Sequence, residues 1–239
     1  MNAAMYKALS GALVQTRRLE MVTQDLANVN TAGYKGVRLV FREVLEGSRP
    51  HNMPVGGQVA LSEQHTDLSN GNLRNTGNPL DFALIGDGLF SVQTPHGVRY
   101  TRQGAFSLSA SHTVVTPSGE PLLGEKGPIH VDGTKVEVGT DGSVVVDGAP
   151  IDRLKIVQAE DARNLVREGA NFFRVKDAEI QSATGNTQVL QGSIEDANVD
   201  PVMAMVSLID VERQFEAYER AMRTMDETTE KVVNEAGKP

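Results

Sequence analysis

The chain contains no cysteine and no tryptophan, and aromatic residues make up only 5% of it. Without thiols there is no disulfide, no thiolate metal site and no cysteine nucleophile, although that absence does not choose a compartment. Basic residues are few, 23 against 31 acidic ones for a formal net charge of -8, and they are spread along the chain. A distribution of that kind excludes broad nucleic-acid binding. No apolar run approaches the ~18 residues that a membrane span requires. A cleavable signal peptide is not expected either. Ala8 to Val14 is short and weakly apolar, Arg17 and Arg18 follow it, and no small-x-small cleavage site is present. By these rules the protein is cytosolic, unless it leaves by a route that reads an uncleaved N-terminus.

Patterns for catalysis or cofactor binding are equally scarce. Gly86-Asp87-Gly88 lacks the third glycine or lysine and the following helix that a phosphate loop needs, and a strand, LFSVQ, follows it instead. It reads as a tight turn. His51, His65, His96, His112 and His130 are isolated, mostly beside turn residues, and none has a metal-ligand spacing. The Asp-Gly turns do not reproduce a D-x-D-x-D-G calcium loop, and no serine lies in a G-x-S-x-G elbow. Glu195-Asp196, just before the last helical stretch, reads as a solvated acidic turn. The expectation is therefore no catalytic residue, no metal and no cofactor. A β-sandwich enzyme with a site assembled from distant residues is the opposing hypothesis, and it requires a cleft with convergent polar groups.

What the sequence does have is helical periodicity at both ends. Leu208, Val211, Phe215, Tyr218, Met222, Met225, Thr229 and Val232 recur at alternating spacings of three and four, the period that keeps one seam facing a partner helix. Asp200 fits the N-cap and Pro201 the first helical position. Acid-first pairs at i,i+4, Glu216 with Arg220, Glu219 with Arg223 and Glu227 with Lys231, mark the wet face. At the other end Met5, Leu9, Ala12, Thr16, Leu19, Thr23 and Leu26 form a thinner seam of the same period, closed by turn formers from Asn28 to Gly33. The two helices are expected to pair with each other. Separate docking of each on a globular core is the alternative. From Val202 to Ile209 only Ser207 is polar, so that stretch is apolar all round and needs more neighbours than one partner helix supplies. Val202, Met205, Val206, Leu208 and Ile209 are accordingly assigned to a subunit interface, with Met5, Leu9, Leu19, Leu26, Val211, Phe215, Tyr218, Met222 and Met225 along the helix seams.

Between the helices the period changes. Val37, Leu39 and Phe41 alternate as in a strand, and residues 48–78, rich in Pro and Gly, read as an extended arm in which Gln58 to Ser62 is the best strand. From Pro79 to Gln191, nine short strand candidates separated by turn dipeptides imply a β-sandwich or irregular barrel, with Gly133 to Gly148 its clearest hairpin. The resulting fold class is α+β: long N- and C-terminal helices paired as a coiled coil, an extended β arm, and an all-β middle domain. The boundaries fall at 1–33, 34–78, 79–191 and 192–239.

Three stretches resemble the bacterial flagellar rod and hook proteins: LANVNTAGYKG (Leu26 to Gly36), NPLDFALIGDGLFSVQTPHGVRYTRQGAFSL (Asn78 to Leu108) and LQGSIEDANVDPVMAMVSLIDVERQFEAYERAMRTMDE (Leu190 to Glu227). Leu26, Ala27, Asn28, Thr31, Gly33, Tyr34 and Lys35 carry the first of these signatures. The chain departs from many relatives at Thr23-Gln24-Asp25 and at Asp196-Ala197. It lacks the large outer insertion of hook proteins and the longer arm typical of distal rod members, so it most resembles the proximal rod members, with the distal ones the nearest alternative. The resemblance implies a non-enzymatic axial subunit of the basal-body rod in the periplasm, exported through the flagellar type III apparatus without signal cleavage. Its implied partners are other axial proteins and the export apparatus. The resemblance also matches Phe41 to Leu45 to an aromatic-xxx-apolar motif read by the export gate, where a plain strand start is the equal alternative.

Overall fold

A computed structural model of the chain describes residues 3–44, 58–159, 164–169, 171–175, 180–182 and 187–236. The chain divides into two units, one made of Met1–Ala27, Arg38–Gln64 and Asp200–Pro239, the other of Asn28–Val37 and His65–Val199.

The first unit holds α1 (Ala3–Ala27) and α2 (Pro201–Ala236). It also holds most of a two-stranded sheet of β1 (Val37–Val44) and β2 (Gln58–Thr66). The start of α2 follows from its cap: Asp200 Oδ1 accepts the backbone N–H groups of Val202 at 2.8 Å and Met203 at 3.1 Å. With 36 residues, α2 is about 54 Å long at a rise of 1.5 Å per residue. The two helices lie side by side and antiparallel. Gly11 faces Tyr218, while Arg18, Met21 and Val22 face Ser207, Asp210, Val211 and Gln214. On α2, Ala204, Leu208, Val211, Phe215, Tyr218, Met222 and Met225 are buried or half-buried at spacings of four and three, and Thr229 is exposed. On α1 the expected seam is met in part: Ala12 is buried and Thr16, Leu19 and Leu26 are half-buried, but Leu9 and Thr23 are exposed and Gln15, outside the seam, is buried. Gly11 adds a contact the seam did not include, because a Cβ there would stand 2.5 Å from Tyr218 Cε1, so the ring occupies the space a side chain would fill. Of the acid-first pairs, Glu219 and Arg223 stand 3.8 Å apart.

The second unit is β-rich. In chain order its strands are β3 (Leu73–Asn75), β4 (Phe82–Ile85), β5 (Leu89–Thr94), β6 (Gly97–Thr101), β7 (Ser107–Leu108) and β8 (Val114–Val115). There follow β9 (Val136–Val138), β10 (Ser143–Val146), β11 (Ala149–Arg153), β12 (Ile156–Ala159), β13 (Leu165–Glu168) and β14 (Phe172–Val175). The last are β15 (Ile180–Ser182), β16 (Gln188–Gln191) and β17 (Ser193–Glu195). They pair antiparallel as a six-stranded sheet in the order β13-β14-β6-β5-β12-β15, a three-stranded sheet β11-β10-β9, and the pairs β16-β4, β17-β3 and β7-β8. The six-stranded sheet carries a core on each face. Phe90, Val92 and Phe172 pack with Phe82, Phe106, Val114 and Val144 on one side, where the Phe90 and Phe106 rings meet edge to face at 5.5 Å. Leu89, Tyr100, Val157 and Phe173 pack with Leu165 on the other. Burial on both faces explains why all four residues of LFSV in β5 are buried, Ser91 included, rather than every second one. The expected hairpin between Gly133 and Gly148 forms as β9 and β10, with Val144 opposite Val138, and continues into β11.

Candidate functional site

Two features are more than packing, an uncovered apolar face in the helical unit and a buried ionic junction in the β-rich unit. The first arises because α1 covers one stripe of α2, while the first turns of α2 are apolar all round. Val202, Met203, Met205, Val206 and Ile209 are left 48–66% exposed, and on α1 Leu9 and Leu13 are 47% and 59% exposed. Each such side chain, about half exposed, forfeits roughly half of the ~1.5–3 kcal/mol that full burial yields. Grouped apolar exposure of this kind is what protein interaction surfaces commonly present. Beside it a groove of about 370 Å³ runs between Arg18, Met21 and Val22 of α1 and Ser207, Asp210 and Val211 of α2. Of the other residues assigned to the seams, Val211 is buried and Leu19, Leu26, Leu208, Phe215, Tyr218, Met222 and Met225 are half-buried. Met5 lies in α1 and Phe41 in β1, and Leu45 falls outside the described residues.

The second feature is built on the LANVNTAGYKG stretch. The turn after α1 closes with Thr31 N–H donating to Asn28 O at 2.9 Å, and Gly33 then takes a left-handed conformation at φ 67°. A Cβ at Gly33 would stand 2.3 Å from the Arg102 carbonyl, so the backbone there can approach only as glycine. Tyr34 and Lys35 follow, each 1% exposed. Lys35 Nζ donates to Ser69 O at 2.6 Å and to Glu195 Oε1 at 2.7 Å. The other carboxylate oxygen accepts Arg102 Nε, and the same guanidinium donates to the carbonyls of Leu84, Gly86 and Gly88. Arg167 of β13 donates to the Lys35 carbonyl and stacks over the Tyr34 ring at 4.5 Å.

Glu195 is therefore not a solvated acidic turn. It is 1% exposed, while its neighbour Asp196 is half-buried and pairs with Arg74 at 3.1 Å. Burial pushes the Glu195 carboxyl up, but the charges and hydrogen bonds of Arg102 and Lys35 outweigh it and hold the group below the usual carboxylate range. Burial also dominates at Lys35, lowering its ammonium despite the Glu195 contact. The sequence carried no local sign of this carboxylate, whose partners are 160 and 93 residues away.

Nothing in these sites resembles acid-base or metal chemistry. The cations of the junction are engaged by carbonyls and one carboxylate. In the Gly86 to Gly88 turn the Gly86 and Gly88 carbonyls face a guanidinium, the opposite polarity to a phosphate loop. Among the described residues no group of three or more His, Asp or Glu could hold a metal ion. His112 pairs with Asp132 at the surface and His130 with Thr113.

Residues 83–146 match the family model of the flagellar hook protein FlgE/F/G D1 domain, and residues 190–235 match that of the flagellar basal body rod FlgEFG protein C-terminal region. Flagellar basal-body rod protein FlgF of Rhizobium meliloti is 30% identical over 99% of each chain, and FlgF of Escherichia coli is 32% identical over 95% of each. FlgG of Bacillus subtilis is 29% identical over 98% of this chain and 99% of its own. The matched segments contain the two features just described, the ionic junction through Arg102 and Glu195 and the uncovered face of α2. Relatives that are rod proteins and align over nearly their whole length carry the assignment: this chain belongs to the flagellar basal-body rod protein family, most like FlgF and next FlgG, and is a structural subunit rather than an enzyme.

Proposed function

We propose that the protein is a subunit of the proximal rod that self-assembles axially around the export channel and transmits torque. In this reading α1 and α2 pair as a coiled coil in an inner helical layer. Val202, Met205, Val206 and Ile209, with Leu9 of α1, pack against helices of adjacent subunits. The extended arm and the middle β-domain, as a sandwich or irregular barrel, form outer layers that lock neighbours together. The partners are other axial proteins of the basal body, reached in the periplasm after export through the flagellar type III apparatus without signal cleavage. No nucleic acid and no membrane span enters the reading, and no helix among the described residues is long and apolar enough to cross a membrane. FlgF relatives at 30–32% identity, against 29% for FlgG, favour the proximal position.

The observation that carries this is the open apolar face of α2, about half or more exposed at every one of its five large side chains. A charge placed there meets water in the free subunit and a low-dielectric contact in the rod. Val206→Asp should therefore abolish swimming while the near-ultraviolet dichroism of the β-rich unit is unchanged. Normal swimming of cells carrying only this variant would overturn the interface.

A further inference from the structure

Two stretches of the β-rich unit continue directly into the helices. Asn28–Val37 follows α1, and residues 196–199 run into the Asp200 cap of α2. Within that unit they are tied to each other rather than held separately. The Glu195 carboxylate accepts Lys35 Nζ and Gly71 N–H, each at 2.7 Å, and Arg102 Nε, while the Glu195 backbone carbonyl accepts Gly33 N–H at 2.6 Å. Asn198 repeats the linkage. Its Oδ1 accepts Gly36 N–H at 2.7 Å, its Nδ2 donates to Asp67 O at 2.9 Å, and its own N–H donates to Tyr34 O at 3.3 Å.

A joint needed only for stability would be served at least as well by apolar side chains, because burying three charges carries a desolvation cost that apolar packing avoids. What the ionic version adds is register. Only one alignment of residues 33–36 with 195–198 satisfies every donor, and a misaligned one leaves a charge buried and unpaired. We infer that Glu195 is a positioning residue that clasps the stretches leading into α1 and α2 as one cooperative element, so that neither is released without the other. The clasp is a property of the single chain and does not depend on what the helices pack against.

Glu195→Gln tests it, since one amide N–H₂ must point at Arg102 Nε or at Lys35 Nζ and Gly71 N–H, donor against donor. In hydrogen exchange of the full purified chain, amides in both 28–37 and 193–199 should exchange at least about tenfold faster in this variant, the scale of a lost charge-assisted bond. Amides in 89–101 and 114–131 should stay slower than both stretches, accelerating by no more than the loss of global unfolding free energy allows. Should Glu195→Gln unfold the core outright, so that 89–101 and 114–131 exchange as fast as the two stretches, Lys35→Met replaces it, because that change leaves the Glu195 and Arg102 pair in place. The clasp still requires 193–199 to accelerate together with 28–37. Acceleration confined to one stretch, or absent from both, in the variant that keeps its core protection would overturn the clasp.

Discussion

Glu195 shows how far the value of a residue can depend on distant partners. Deleting one member of a buried ion pair leaves the others uncompensated and costs about 3–5 kcal/mol, whereas an exposed pair is worth about 0–1 kcal/mol. Glu195→Ala should therefore lower the unfolding free energy of the β-rich unit by about 3–5 kcal/mol in a urea titration. Arg17→Ala, which removes a pair exposed at both ends, should leave it nearly unchanged. The pH dependence follows from the direction of the shift. The folded carboxyl titrates below the ordinary glutamate value of 4.5, so its contribution is fully present above that value and is lost as pH falls through the lower folded one. Acid destabilisation below about pH 4.5 should be shallower in Glu195→Gln, with Lys35, Arg102 and the nearby Asp67 still in place. Tyr34 and Lys35 could be singled out from a signature-like turn. Glu195 could not, because Ser193, Ile194 and Glu195 in β17 are all buried and show no alternation that would mark one of them as special.

At the scale of elements, hydropathy conveys some faces and not others. The seam of α2 was legible because its residues are large and apolar, and Ala204 extends it one step toward the N-terminus. The face of α1 was legible in part, at Ala12, Leu19 and Leu26, and missed at Gly11, which approaches Tyr218, and at buried Gln15, neither of which carries a hydrophobic signal. Gly11→Leu should thus be more disruptive than its surface-like context implies, since the new side chain meets the Tyr218 ring. We expect loss of α1 to α2 pairing, read as a drop in helical dichroism of assembled rods, with partial recovery on adding Tyr218→Ala. Equal helicity of Gly11→Leu and wild type would contradict the antiparallel register. Among the strands, the Gly133 to Gly148 hairpin was clear from its Asp-Gly turns. β3 and β17 were missed because three-residue strands that pair across more than a hundred residues have too little periodicity to register.

The whole molecule combines a β-rich unit that satisfies itself with a helical unit that does not. Phe90, Val92 and Phe173 are essentially inaccessible, yet five large apolar side chains in the first turns of α2 remain in water. The α+β class and the family were legible from the order of patterns along the chain. The ionic junction was not, being a product of the fold rather than of any local stretch. The absence of cysteine gives a direct probe of the open face. A single Val206→Cys in an otherwise unchanged chain places one thiol on it, and the rate of labelling by a water-soluble maleimide can be compared between free subunit and isolated basal bodies. Assembly through this face requires fast labelling of the free subunit and strong protection in the basal body. Equally fast labelling in both would contradict it.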